Sequence, residues 1–280
     1  MESYGTALRT SHLHRLDLSM FGKEVTDEGL SLLARSLPVE SLQDISLHLA
    51  CQSTAAFYTE LGVVCLYRSA AAAPKLQAFR LQSMHGDEGL AAFGNAIQHG
   101  NGLPGLKRLD IQYSHVGVPG VSALACAVVA KKQLAGLEVL SLSYNTKIGD
   151  AGCHALAQGF EVAMAQAGFV MLRKLQLRCC SIGDSGSAAL AALLVSPPYA
   201  TEELDFSQNS IGTEGGRAIF TALSSESALR ELVLERNDFR TLPADVVVQS
   251  LHRSTLAILR LKGSRSCTVA GEDKALADRK

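Results

Sequence analysis

The stretch Leu137-Glu-Val-Leu-Ser-Leu-Ser-Tyr-Asn145, together with the following Ile148-Gly-Asp-Ala-Gly-Cys-His-Ala-Leu-Ala157, decides the fold. In the first half, leucines alternate as they do in a strand with one buried face. In the second half, alanine and leucine recur at helical spacing behind a Gly-Asp-x-Gly start. The aspartate suits the free N–H groups at the helix N-terminus, and the glycine allows close packing there. The stretch therefore predicts a strand, a loop and an amphipathic helix.

The strand motif Leu-x-x-Leu-x-Leu recurs, giving nine copies that start near residues 13, 42, 76, 106, 137, 172, 201, 229 and 256. Copy seven begins with Thr201 in place of leucine, and its position in the period identifies it. The helix half recurs as well, for example from Ile182 and from Ile211. Self-similarity at this period is typical of a stack of repeats that share one core.

These motifs resemble those of leucine-rich-repeat proteins of the ribonuclease-inhibitor subtype over about residues 13–263. The resemblance implies an α/β solenoid, or horseshoe, with parallel strands on the concave face and helices on the convex face. We therefore expect a single domain of about nine repeats over residues 1–263, followed by a polar C-terminal tail at 264–280.

In this family, the ninth position of each repeat, usually Asn or Cys, caps backbone groups inside the turn. Copies five to eight match this pattern with Asn145, Cys180, Asn209 and Asn237. Copies one to four depart from it with Phe21, Ala50, Met84 and Ser114. We therefore expect turns in the N-terminal half that are irregular or satisfied differently, and a less certain register there.

Copies two and eight also depart from the pattern in their helix half. Copy two lacks the Gly-Asp-Glu-Gly signature between Cys51 and Ala73, which indicates a longer helix or a loop. Copy eight reads Leu242-Pro243 after its turn, which is typical of a shorter repeat without the full helix start.

Composition narrows the classes of partner and the compartment. The net charge is −1, so no basic excess favours nucleic acid. The longest apolar stretch, about Val121–Ala130, is too short for a membrane span, and the N-terminus lacks the pattern of a secretory signal. The seven cysteines show no paired spacing, which favours a reduced compartment. We expect a cytoplasmic protein, with the nucleus as the alternative.

The positions between the leucines alternate onto the concave face, where we expect a protein partner to bind. The candidate partner-binding residues on this face are Tyr113, Tyr144, Arg173, Lys174, Arg178, Glu202, Glu203, Asp205 and Arg236.

Each of two features among them has two interpretations. Tyr113 and Tyr144 occupy the same position in neighbouring repeats, either as a binding hot spot or as residues that pack against loops or each other. A basic strand beginning at Arg173 lies beside an acidic one beginning at Glu202, which forms either lateral ion pairs or a bipolar docking surface.

The sequence offers no catalytic, cofactor or metal site. The glycines between Gly100 and Gly105 precede a strand, whereas a dinucleotide motif follows one. Cys179 and Cys180 are adjacent, which does not give zinc-ligand spacing.

We therefore predict a non-catalytic protein-binding scaffold, either a monomer or a subunit of a hetero-complex. One alternative is a GTPase-activating protein resembling the Ran GTPase activators, although residues 271–280 lack the acidic run typical of those proteins. Another is a sensor, effector or cytoskeletal regulatory repeat protein.

Overall fold

A computed structural model describes residues 8–9, 11–21, 25–50, 58–83, 85–100, 102–129, 134, 136–167, 172–194, 201–223, 226–239 and 241–263. The predicted tail at 264–280 lies outside these residues. The strands form one nine-stranded parallel sheet in sequence order. They are β1 (Arg15–Phe21), β2 (Asp44–Ala50), β3 (Ala78–Gln82), β4 (Arg108–Asp110), β5 (Val139–Ser141), β6 (Lys174–Gln176), β7 (Glu203–Asp205), β8 (Glu231–Val233) and β9 (Ile258–Arg260).

A helix follows each of the first eight strands. The helices are α1 (Asp27–Ser36), α2 (Glu60–Ala71), α3 (Gly86–His99), α4 (Val118–Val129), α5 (Gly149–Ala167), α6 (Asp184–Leu194), α7 (Thr213–Ala222) and α8 (Ala244–Arg253). Each helix packs against the helix of the next repeat. The predicted solenoid is therefore confirmed. None of the helices in the described segments combines the length and apolarity that crossing a bilayer requires.

The register follows the leucine pattern through every copy. One row of core side chains is paired across the whole sheet: Leu16, Ile45, Phe79, Leu109, Leu140, Leu175, Leu204, Leu232 and Leu259. The register is thus regular in the N-terminal copies as well. Their irregularity is in strand length, because β1 and β2 continue through Phe21 and Ala50, the positions at which later copies turn. The side chains of Phe21, Ala50 and Met84 lie outside the described part of the chain.

Copies two and eight clarify the two predicted irregularities. Copy two forms α2, an ordinary helix of 12 residues, and its segment 51–57 is outside the described residues. The prediction of a short turn in copy eight is wrong. Pro243 occupies the N-cap position of α8, a helix of 10 residues. Proline fits at this end of a helix because the first N–H groups have no partner within the helix.

The aspartates of the helix signature cap the following repeat. The Asp87 carboxylate accepts hydrogen bonds from the N–H groups of Gly117 at 2.7 Å and Gly120 at 3.0 Å. Asp150 likewise accepts from Gly183 N, at 2.7 Å. The sequence interpretation, in which each aspartate caps its own helix, is therefore corrected. Parallel stacking brings the first turn of one helix against the start of the next, which places the carboxylate among free N–H groups.

Asp27 shows the electrostatic consequence of this arrangement. Burial alone would raise the pKa of its carboxyl, but hydrogen bonds from Thr59 and from the N–H of Gly62 lower it overall. Asp184 repeats the contact with Gly212 N at 2.6 Å. The carboxylates therefore join successive helices by charge-assisted hydrogen bonds.

The second glycine of the Gly-Asp-x-Gly motif makes room for the aspartate of the preceding repeat. A Cβ at Gly186 would lie 2.6 Å from Asp150 Oδ1 and 2.8 Å from Asp150 Cα. Gly29 occupies the same motif position in copy one, where the nearest atom to a Cβ is Thr26 Oγ1 at 3.4 Å. Glycine is thus required sterically at Gly186 but not at Gly29.

We predict that Gly186→Ala lowers the free energy of unfolding by about 1–3 kcal/mol, because the new methyl group overpacks against Asp150. The matched control Gly29→Ala should be neutral or stabilising by up to about 1 kcal/mol, because alanine favours helix. Urea denaturation followed by circular dichroism measures both changes. Equal effects of the two substitutions would contradict the steric account.

Candidate functional site

The candidate site lies on the side of the sheet opposite the helices. Strand side chains alternate, so each buried leucine is flanked by residues on this concave face. The register aligns Lys174 with Glu203 and, one row along, Gln176 with Asp205. The predicted residues of copies six and seven are therefore brought together on adjacent strands.

A shoulder of left-handed backbone borders one edge of this face. It follows the strands of copies four to eight and consists of Tyr113, Tyr144, Cys179, Gln208 and Arg236, with φ between 49° and 63°. Left-handed backbone costs a non-glycine residue roughly 1–2 kcal/mol, so the surrounding structure must impose it.

The side chain after each shoulder residue imposes this turn. Asn145 accepts hydrogen bonds from the N–H groups of Ser114 and Val116 at 2.9 and 3.1 Å. Its amide nitrogen donates to the carbonyl oxygens of Ile111 and Leu142 at 2.7 and 2.8 Å. These hydrogen bonds join two repeats and hold the backbone in place before and after Tyr144.

The same position is filled in related ways in other copies. Asn209 bonds Cys180 N and Leu177 O, each at 2.8 Å, and Asn237 caps in the same manner. In copy four, the Ser114 hydroxyl donates to Leu81 O at 3.1 Å. The predicted turn-capping role is therefore present, and the departure at Ser114 is satisfied by a hydroxyl group.

Tyr113 and Tyr144 stack on each other at this shoulder. Their ring centroids are 4.1 Å apart, and the ring planes differ by 9°. The Arg178 guanidinium carbon lies 5.6 Å from the Tyr144 centroid, so the aromatic pair continues into a cation–π contact. Tyr113 is 51% exposed. Its pKa is raised, first by burial of part of the ring and then by a hydrogen bond with the Tyr144 hydroxyl.

The basic and acidic strands are joined by lateral ion pairs. Arg173 Nη1 lies 3.4 Å from Glu202 Oε1, and Lys174 pairs with Glu203. Opposite charges one strand apart neutralise each other at little gain in stability, because solvent screens them.

Asp205 and Arg236 have other surroundings. Asp205 accepts hydrogen bonds from the N–H and the hydroxyl of Ser207 at 2.8 and 2.6 Å. Arg236 is an exposed shoulder residue whose N–H donates to Lys262 O at 3.2 Å. Neither Asp205 nor Arg236 is in an ion pair among the described residues.

Sequence reasoning missed the burial of the concave-side serines of copy five. Ser141 and Ser143 lie on the concave side but are 0% and 5% exposed, because adjacent strands carry the longer Asp110, Gln176 and Arg178. Ser141 Oγ has no hydrogen-bond partner among the described residues. The short side chains of copy five were the available signal.

Asp110 is the residue of β4 that is paired with the buried Ser141. Burial raises the pKa of its carboxyl, against the lowering effects of a hydrogen bond to Gln112 and of the nearby Arg108 and Arg80 guanidinium groups. Asp110 is therefore an acid whose charged form is disfavoured by its place in the fold.

A second feature that the sequence did not predict is a depression of about 230 Å³ over strands β6–β9. Its wall includes Arg178, Asp205 and Glu235, with Val233 between them. It adjoins the stacked tyrosines through Arg178, so the face is concave locally as well as along the sheet.

Comparisons with known proteins point to the same repeat. A family model described as leucine-rich repeat matches residues 104–125, 137–157, 170–191 and 202–220. Among curated proteins, the ribonuclease inhibitor of Sus scrofa is 26% identical over 273 residues, covering 88% of this chain and 57% of that protein. The chain thus spans little more than half the length of this relative.

Two solved structures are similar over most of the chain. A yeast Rad7–Elc1 complex gives 16% identity and a TM-score of 0.41, covering 96% of this chain and 73% of that chain. An internalin, InlF, from Listeria monocytogenes gives 12% identity and a TM-score of 0.37, covering 95% and 85%. Similarities at this level carry no argument about function.

We predict that the ion pair between Arg173 and Glu202 contributes little to stability. A double-mutant cycle with alanine at both positions should give a coupling energy below about 1 kcal/mol that falls further in about 1 M salt. The comparison pair Arg80–Asp44, at 2.8 Å and less exposed, should couple more strongly. Unfolding in urea measures both cycles. A larger, salt-insensitive coupling for Arg173–Glu202 would refute this view.

We predict that Asp110→Asn stabilises the protein at neutral pH. Because the folded-state pKa is raised, ionised Asp110 costs stability above that pKa, and the cost disappears as both states become protonated below about pH 4. Asp27→Asn should behave oppositely, destabilising at neutral pH with a loss that vanishes in acid. Urea midpoints across pH measure both effects. A gain for Asp110→Asn that does not vary with pH would be inconsistent with this cause.

Proposed function

We propose that this leucine-rich-repeat protein of the ribonuclease-inhibitor type is a non-catalytic scaffold that binds a protein partner through its concave face. The stacked pair of Tyr113 and Tyr144 is the observation that carries the proposal, because it presents a rigid, half-exposed aromatic surface beside the sheet. Tyrosine and arginine are enriched among binding hot spots.

The backbone supports this assignment. Tyr113 and Tyr144 occupy left-handed positions that the turn imposes, so their Cα positions are fixed before a partner arrives. Ring stacking then restricts both side chains. A pre-organised surface loses less conformational entropy on binding, which favours affinity.

The buried thiols of the repeat core are poor candidates for a nucleophile. Burial raises the pKa of Cys180 to about 12, and it raises that of Cys153 as well. These thiols remain protonated at neutral pH and are poor nucleophiles. Nothing in the geometry of the described residues favours the GTPase-activating alternative.

We place the protein in the cytoplasm or nucleus, as a monomer or a subunit of a hetero-complex. The free thiols of Cys65, Cys126, Cys153, Cys179 and Cys180 support a reducing compartment.

The proposal is tested by quantitative affinity purification with wild type, the double variant Tyr113→Ala/Tyr144→Ala, and the convex control Leu61→Ala. Leu61 is a suitable control because it is a large apolar side chain, 67% exposed, at the start of α2. Partners retained by wild type and the control but lost by the double variant support the proposal.

A partner found in this way should bind the double variant at least about 30-fold more weakly when both proteins are purified, as expected for loss of a hot spot. Circular dichroism and urea midpoints confirm that the variants fold. Equal affinity of wild type and the double variant would exclude the tyrosine pair as the hot spot, and loss of binding with Leu61→Ala alone would exclude the concave face as the binding surface.

A further inference from the structure

The stack at the shoulder is open at one end. Tyr144 covers one face of Tyr113, and the other face points towards copy three, where the equivalent shoulder position is Ser83. Ser83 is short, so the side chain at that shoulder position does not extend over the Tyr113 ring, and Tyr113 is 51% exposed. The exposed part of the Tyr113 ring is therefore a stacking surface that no described shoulder residue of copy three covers.

The other end of the stack is a cation. Arg178 Cζ lies 5.6 Å from the Tyr144 centroid, and Arg178 Nε is buried without a hydrogen-bond partner among the described residues. No ion pair involves Arg178 in the described part of the chain, whereas Arg173 and Lys174 on the same strand are both paired with glutamates. Arg178 is thus a positioned charge that has not been neutralised.

The charge left unpaired on copies three to six is weakly positive, whereas Asp205 and Glu235 lie on the other side of Arg178. Four of the six cations at the concave positions of these copies are in ion pairs. The charged side chains in no ion pair among the described residues there are Arg108, Arg178 and Asp110. A partner segment that is itself cationic would be repelled here, and one that carries carboxylates would be attracted.

We propose that this end of the concave face binds an acidic segment of the partner protein. An Asp or Glu of that segment binds the Arg178 guanidinium, and an apolar or aromatic side chain of the same segment packs on the open face of Tyr113. The two anchor points are roughly 10–15 Å apart, which an extended chain spans in about three to five residues. The inference rests on the proposed function and specifies the chemistry of its partner.

The same geometry disfavours nucleic acid as the occupant. Phosphate-backbone binding depends on several neutralised phosphates, each with a free Lys or Arg. Four of the six cations are already in ion pairs with carboxylates, through Arg80, Lys107, Arg173 and Lys174.

The test uses a displayed library of random dodecapeptides, selected on the full chain. Enriched peptides should carry an Asp or Glu three to five residues from an aromatic or large aliphatic residue. By fluorescence anisotropy, they should bind Arg178→Ala and Tyr113→Ala at least tenfold more weakly than wild type. The control Arg230→Ala, an exposed arginine outside copies three to six, should stay within twofold.

A charge swap makes the test specific to the Arg178 contact. Arg178→Glu should lose the acidic peptides and bind versions in which the acidic residue is replaced by lysine. Arg178→Lys keeps the charge but loses the planar group, so its affinity should lie between those of wild type and Arg178→Ala. Urea midpoints identify any variant that fails to fold, and Arg178→Lys keeps the test informative if Arg178→Ala is unstable.

Several outcomes would overturn the inference: no enrichment, enrichment of basic peptides, acidic peptides that ignore Arg178, or tighter binding of a single-stranded oligonucleotide at the same site. If binding instead depends on Glu203 or Asp205, the concave scaffold stands and only this inference fails. If binding is insensitive to every concave substitution and is lost with Leu61→Ala, both fail.

Discussion

The fold depends on a mismatch between two packing distances. Neighbouring strands lie about 4.8 Å apart, whereas neighbouring helices pack about 8–10 Å apart. A stack that joins one strand to one helix per repeat must bend, with the sheet on the inside. Small helical residues reduce the mismatch: a Cβ at Gly159 would lie 2.7 Å from Ala125 Cβ, and one at Gly94 would lie 2.6 Å from Ala123 O. The many alanines and glycines of this chain therefore keep the helical layer thin.

The inner side of the bend concentrates side chains from distant parts of the sequence. Tyr113 and Tyr144 are 31 positions apart by numbering and yet stack at 4.1 Å. The turn after each strand holds the backbone in a left-handed conformation that glycine would adopt most readily. This chain has tyrosine, cysteine, glutamine and arginine there instead. The fold therefore fixes the backbone at these positions, and the side chains that they carry decide what the surface recognises.

Periodicity made the fold predictable from the sequence. The leucine pattern gave the strand register even at Thr201, and it gave the concave rows, because alternation in a strand leaves no choice of face. The shared repeat position of Tyr113 and Tyr144 predicted their proximity. These inferences depend only on counting residues within and between copies.

Contacts that depend on side-chain reach were less accessible. The sequence did not show that Asp87 reaches forward to Gly117 and Gly120, because motif position alone does not tell which helix an aspartate faces. It did not show that Arg178 lies over Tyr144 while Lys174 pairs with Glu203, because both are basic residues on one strand. Copy eight was misjudged because proline after leucine fits both a short turn and a helix start.

The forward reach of the aspartates has a consequence for how such a chain can be divided. The start of one helix is specified partly by a carboxylate in the previous repeat and partly by glycines in its own. The structural module is therefore offset from the sequence repeat and straddles the junction between two copies. An excised or duplicated copy would keep these hydrogen bonds only if the chain were cut outside the span from an aspartate to the glycines that it caps. A cut between Asp150 and Gly183, whether in the helix or at the strand, would separate the carboxylate from the N–H group that donates to it.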